Sequence, residues 1–275
     1  MAPYPFPDSH APVGSGIYYA IRFAPPPLRA DLSLVNALYR SIVEIPDQCS
    51  EAAVAMQKLG WWQRELQRSF GGHADAQHPV ATAAARLLRQ HGIEEIFFEP
   101  LFKVTAQMIG GVELDDEAAL ERHLQARGAS FGQLMAEVAG ADADQINHAR
   151  ALGSYLAEAA TIGDIGADLR RQRVLIPLSR LERFGVSVAS LQTGNGQIDA
   201  LLNDAIGRAR QRYRETLQRL SPDATLGPLL SLAVLAERLL THAERDGAQK
   251  LLQQRIELTP LRKLWICWRC QRGLC

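Results

Sequence analysis

An all-α fold, one helical domain packed around an apolar centre, is what this sequence predicts, on three observations. Apolar residues recur every three or four positions in segment after segment. No stretch alternates apolar and polar residues with the period of a strand. A hydrophobic content of 47% with 22% charge, over 275 residues, supplies a sizeable core. Thirty basic residues balance thirty acidic ones, so no overall field draws nucleic acid, and none is expected as a partner. There is no glycine-rich phosphate loop, no G-x-S-x-G and no His pair spaced along one helix, which removes the common nucleotide-dependent, hydrolase and zinc-protease readings.

Residues 1–14 hold four prolines and no periodic pattern, so they read as an extended, poorly ordered lead-in. They carry no basic n-region followed by an apolar h-region, and no apolar window reaches the roughly 18 residues of a bilayer span, so the expected location is the cytoplasm. Structure begins near Ser15. After Tyr18, Tyr19 and Arg22, the run Pro25-Pro26-Pro27 must stop a helix, and Leu32, Leu34, Val35, Leu38 and Ile42 restart one. That helix meets Val43-Glu44-Ile45-Pro46-Asp47, where Pro46 predicts a kink or an end, and Ser50 is placed to cap the next.

A helix over Glu51 to Phe70 is broken by Gly71-Gly72, another spans Pro79 to His91, and a third, apolar on most sides, spans Ile93 to Ile109. Asp115 to Val138 predicts one long helix whose middle is small: Gly128, Ala129, Ser130 and Gly132 would admit a neighbouring helix or a long apolar ligand. A polar link, Ala141 to Asn147, leads to Leu152–Pro177. There Asp164 and Asp168 stand one helical turn apart on one face, and Arg170, Arg171 and Arg173 follow. Paired hard oxygens suit Mg²⁺ and arginines suit phosphate oxygens, so the stretch is either a diphosphate–Mg²⁺ site or a charged helix end.

Beyond it come a connecting element, Leu178 to Val186, and the loop Thr193-Gly194-Asn195-Gly196. An amphipathic helix follows from Asp199 to Leu220, with Arg208, Arg210, Arg212, Arg214 and Arg219 mostly a solvated face, and then a strongly apolar helix from Leu226 to Ala243. Near the end, Leu261, Leu264, Trp265 and Trp268 alternate with Arg262, Lys263, Arg269 and Arg272, as an interfacial amphipathic segment or a last helix packed on the bundle. Cys267 and Cys270 form CxxC, but structural zinc needs four ligands and these find none with suitable spacing.

From Ser15 to Leu264 the chain resembles the squalene/phytoene synthases. Ser15-Gly16-Ile17-Tyr18-Tyr19-Ala20-Ile21-Arg22 through Pro25 is similar to the family's opening S-F-Y-x-A-x-R-x-x-P, and Ala37-Leu38-Tyr39-Arg40 to its A-x-Y-x-x-x-R. Trp61-Trp62-Gln63-Arg64-Glu65-Leu66 is similar to L-x-W-W-R-x-E-L, and Arg255 to Leu264 to the closing R-V-x-L-x-x-x-R-K-L. In the second aspartate motif Leu152, Gly153, Asp164, Asp168, Arg173 and Pro177 match. Ala160 stands where the family has Asn, Gly163 where it has Arg, Ala167 for Glu, Gln172 for Gly and Leu175 for Tyr. The first motif, D-D-x-x-D, appears as Val43-Glu44-Ile45-Pro46-Asp47.

The resemblance implies an isoprenoid-synthase-type bundle around a central apolar cavity, over residues 15–264, with 265–275 as a basic, Trp-containing tail. It implies a transferase that condenses isoprenoid diphosphates such as farnesyl or geranylgeranyl diphosphate. Its Mg²⁺ would sit on Glu44, Asp47, Asp164 and Asp168, its diphosphate on Arg40, Arg170, Arg171 and Arg173, and Tyr18, Arg22 and Arg173 would serve the chemistry. The worn motifs leave a second expectation, a prenyl-lipid-binding or respiratory complex assembly protein with a protein partner. The tail adds a membrane surface, on its inner face, as a partner.

Overall fold

The computed structural model describes residues 3–192, 196–219 and 224–273; Thr193, Gly194 and Asn195 of the expected loop, and Leu220, lie outside them. Residues 3–14 form no helix, as their prolines require, but they are tied down. Ala11 is fully buried, Phe6 stacks on Tyr18 with ring centroids 5.5 Å apart, and the Asn36 amide donates to the His10 carbonyl at 3.2 Å. The loose lead-in expected from composition is therefore a strap across the first two helices.

Helix α1 (Gly16–Phe23) starts where the Ser15 hydroxyl accepts from the Tyr18 amide at 3.1 Å, and the prolines end it. Helix α2 (Arg29–Val43) buries Leu32, Val35, Leu38 and Ile42, the stripe read from the sequence. Pro46 lies in the first turn of a new short helix, α3 (Ile45–Gln48), so α2 stops at Val43 and Glu44 joins the two. Helix α4 (Ala52–Gly71) is preceded by Glu51, which makes no side-chain cap, so Ser50 does not cap it as expected. Gly72 closes α4 in the left-handed conformation, φ 70°.

Helix α5 (Pro79–Gln90) begins on its proline. The apolar run from Ile93 is not one helix: a 3₁₀ turn at Glu95–Phe98 precedes α6 (Glu99–Gly110), because Pro100 has no N–H to give and is placed in a first turn. The long helix expected over Asp115–Val138 is also interrupted. It divides into α7 (Glu117–Leu124), a π turn at Gln125–Ala129 and α8 (Ser130–Val138). The polar link before the next helix is shorter than expected, because Asp142 and Gln145 form a reciprocal capping box that starts α9 (Ala143–Gly163).

Helix α9 is the axis of the molecule, packed against α8, the π turn and two helices further on, α12 (Gly196–Arg219) and α13 (Gly227–Asp246). Its small residues decide how close the axis comes. A Cβ on Gly128 or Gly132 would overlap a carbonyl oxygen of α9, and one on Gly153 would overlap the Gly128 carbonyl. Close helix packing is thus one reason for the small run, and Gly128 and Gly153 also line a cavity. On the other side of α9, Tyr155 is fully buried and stacks on Tyr213 of α12 at 4.9 Å.

Between α9 and α12 lie α10 (Ile165–Arg170) and α11 (Leu178–Arg183). The chain joining them runs beside residues 112–115, with one isolated parallel bridge, Glu113 to Val174, and no strand among the described residues. The arginines of α12 are not one solvated face. Arg212 reaches Glu158 at 2.7 Å and Glu121 at 2.6 Å, Arg210 holds Glu237 and Glu244 at 2.7 Å each, and only Arg214 and Arg219 of those expected outside stand exposed without such a pair here. Glu158 is buried, so these guanidiniums clamp α12 to α7, α9 and α13.

After α14 (Lys250–Gln253) the chain ends its described course in α15 (Pro260–Gln271). The boundary expected at residue 265 falls inside this helix, which packs on α1 and α13 through buried Ile266 and Cys267. Burial pushes the Cys267 thiol up to about 12, which disfavours the thiolate that a zinc ligand needs. No helix among the described residues is long and apolar enough to cross a membrane.

Candidate functional site

The two aspartates read as neighbours on one helix lie at a break. Asp164 ends α9 and precedes α10 with φ −101° and ψ 6°, outside helical values. The Asp168 amide still donates to the Asp164 carbonyl at 2.9 Å, so the one-turn offset survives and both side chains line one hollow. The first motif behaves alike. The Asp47 amide donates to the Glu44 carbonyl at 2.9 Å across the joint that Pro46 makes.

Glu44, Asp47 and Asp164 line a cavity of about 650 Å³. Leu232, Leu235, Leu239 and Leu240 of α13, with Phe131 and Leu156, give it apolar lining, and Arg40, Arg127 and Arg255 line it beside the acids. A hollow of about 380 Å³ shares Asp47, Arg127, Asp164 and Arg255 and adds Asp168, Arg170, Arg171 and Arg173. Ala160 and Gly163 line both, and no atom lies within 4 Å of a Cβ built on Gly163. The wall is therefore bare at the two positions where the resembling motif carries Asn and Arg.

Arg173 is the buried knot of the site. Its Nη1 lies 2.6 Å from Asp47 Oδ1 and 3.4 Å from Asp168 Oδ1, while Nη2 donates to the Pro46 carbonyl at 2.7 Å and Nε to the Met108 carbonyl at 3.0 Å. One guanidinium so ties α3, α6 and α10 together, which lysine with its single point charge would not do. Arg255 Nε is 2.9 Å from Asp164 Oδ1, Arg40 pairs with Glu44, and Arg171 lies 3.7 Å from Asp47. Arg170 donates to the Leu252 carbonyl at 3.3 Å.

Burial raises the Asp164 and Asp168 carboxyls above their ordinary range, against the pull of Arg255 and Arg127 on the first and of Arg127 and Arg173 on the second. Burial alone would raise Glu44 as well, but His10 and Arg40 together hold it below the usual value. Each of the four expected metal ligands thus faces a guanidinium. No three His, Cys, Asp or Glu among the described residues stand close enough to hold an ion. Asp47, Asp164 and Asp168 line one hollow, where they would hold Mg²⁺ together with diphosphate oxygens.

Tyr18 and Arg22 lie apart from this cluster. Tyr18 is half-buried between Phe6 and Tyr19, Arg22 is exposed, and neither lines the cavity, although Ser15, Gly16 and Ile17 of the same helix segment do. Sequence reasoning did not single out Arg127 or Arg255 as site residues. Arg255 opens the closing motif, which was the available signal; Arg127 lies in the small-residue run, and only the π turn shows that it faces the aspartates.

The squalene/phytoene synthase profile matches residues 11–262. The phytoene synthase of Thermus thermophilus is 33% identical over 132 residues, 47% of this chain and 46% of that protein. The presqualene diphosphate synthase of Rhodopseudomonas palustris is 26% identical, with 66% of each chain covered. The matches thus span from about half to just under two thirds of these relatives' lengths. A crystal structure of a dehydrosqualene synthase in complex with ligand superposes with a TM-score of 0.80 over 94% of this chain and 91% of that one, at 17% identity, which speaks for the fold. With the profile covering nearly the whole chain, the chain belongs to the squalene/phytoene synthase family.

Proposed function

We propose that this chain is a prenyl transferase that binds isoprenoid diphosphates, the prenyl chain along the leucine wall and the diphosphate at the arginine-rich end. The observation that carries the reading is the lining of the cavity, which joins the leucines of α13 to Arg40, Arg127 and Arg255 in one hollow. In the reaction the carbon–oxygen bond of an allylic diphosphate breaks, its electron pair leaves with the diphosphate, the double bond of a second prenyl chain attacks the cation left behind, and the new cation on that chain is quenched by loss of a proton to the released diphosphate. Guanidiniums aimed at the leaving oxygens stabilise the charge that develops there. The relatives' printed names, both of synthases, speak for an enzyme rather than an assembly protein.

Magnesium, which the resemblance implies, would be held by Asp47, Asp164 and Asp168 together with diphosphate oxygens, and the guanidiniums would take the rest of the diphosphate's charge. The test incubates purified protein with farnesyl or geranylgeranyl diphosphate, in Mg²⁺ and in chelator, and measures ligand binding and diphosphate release. Release above a blank, lost in Arg255→Ala, is the expected result. Binding without release in either condition sinks the transferase and leaves a carrier, and no binding at all sinks both.

A further inference from the structure

Helix α15 has two apolar faces, and the fold uses one. Ile266 and Cys267 are buried against α1 and α13, while Leu261, Leu264, Trp265 and Trp268, spaced three and four apart on the opposite face, are 77%, 37%, 54% and 39% exposed. Val13, 69% exposed, extends this stripe, since Gly14 beside it approaches Pro260 at the start of the helix. Single exposed apolar residues need no explanation, but a contiguous stripe with two indoles does.

The charges around the stripe say what covers it. Arg262, Arg269 and Arg272 belong to it or border it, and no Asp or Glu follows Glu257 in the sequence. Two of the arginines lie over the indoles, Arg269 over Trp265 at 4.7 Å and Arg272 over Trp268 at 4.8 Å, which places cation and ring at one level. Indole beside cation, on a helix lying across the surface, is the chemistry of an interface between headgroups and acyl chains.

We propose that α15 and Val13 dock the protein on an anionic lipid surface, cations at the phosphates and tryptophans at the acyl boundary. The inference stands on this face alone and does not need the transferase reading. The test floats the full chain with vesicles of phosphatidylcholine and with vesicles of equal parts phosphatidylcholine and phosphatidylglycerol. Flotation with the anionic vesicles, abolished by the surface pair Trp265→Ser and Trp268→Ser, is the expected result. The pair Arg262→Gln and Arg272→Gln is expected to weaken partitioning by about thirtyfold, from about a fivefold loss per cation. Circular dichroism and farnesyl diphosphate binding should stay unchanged in both, which separates a failure here from a failure of the function. No flotation of the wild type overturns the proposal, as does flotation that survives the tryptophan pair. A dimer that the tryptophan pair dissociates, without vesicle binding, overturns it in favour of a second copy of the chain.

Discussion

Arg173 shows how much one side chain of this site holds. It is 4% exposed and bonds two carboxylates and two backbone carbonyls, so its removal leaves Asp168, itself buried, without its ion-pair partner and with only the longer-range pull of Arg127, and two carbonyls without this donor. Breaking a buried pair from one side typically costs about 3–5 kcal/mol, much of it the stranded charge. Arg173→Met should therefore lower unfolding stability in urea by that order. Adding Asp168→Asn should recover part of the loss, because the stranded charge goes with it. If the single variant unfolds like the wild type, Arg173 is not the knot that its geometry describes. Gln172, next to it, has φ 58°, a left-handed conformation that glycine adopts at less cost.

At the scale of elements, the crossing of α9 with the π turn and α8 sets both the core and one cavity wall. Gly153→Ala would drive a methyl group into the Gly128 carbonyl, and neither backbone can yield without moving a helix. Overpacking of this kind costs about 1–3 kcal/mol or more, and the shift would be felt at Ala157 and Leu156 of the wall. Gly163→Ala, ten residues along the same helix where nothing lies within 4 Å, is the opposite case and should be neutral or stabilising by up to about 1 kcal/mol. Thermal melts of the two variants should move in opposite directions, with prenyl diphosphate binding weakened only in Gly153→Ala. Melts that shift alike would mean that the crossing has slack the backbone distances do not show.

For the molecule as a whole, the helical class, the apolar stripes of α2, α4 and α13 and the place of the polar site were legible in the sequence, because periodicity and the motif spacing are local. What was not legible depended on partners far along the chain. The π turn forms where α9 comes close, the arginines of α12 turn inward because Glu121, Glu158 and Glu237 face them, and Arg255 reaches Asp164 from near the far end. His123 belongs to the same class. It is 4% exposed, neither ring nitrogen has a partner, and burial together with Arg127 pushes its pKa down to about 4 from 6.5. Between those values the unfolded chain takes up a proton that the native state refuses, so stability is lost as pH falls through that window and is fully present above it. The formal net charge is zero near neutrality, so no general repulsion masks this slope at its upper end. Asp164, Asp168 and Glu158, raised by burial above the ordinary carboxylate range, act in the opposite sense, binding protons more readily in the native state. Comparing the wild type with His123→Leu cancels those carboxylates. The variant loses no hydrogen bond and should match or exceed the wild type at neutral pH. Its advantage should then grow by up to about 3 kcal/mol as the pH is taken from near neutral to about 4, read as diverging urea midpoints. Midpoints that stay parallel would place the proton of His123 in the folded state after all.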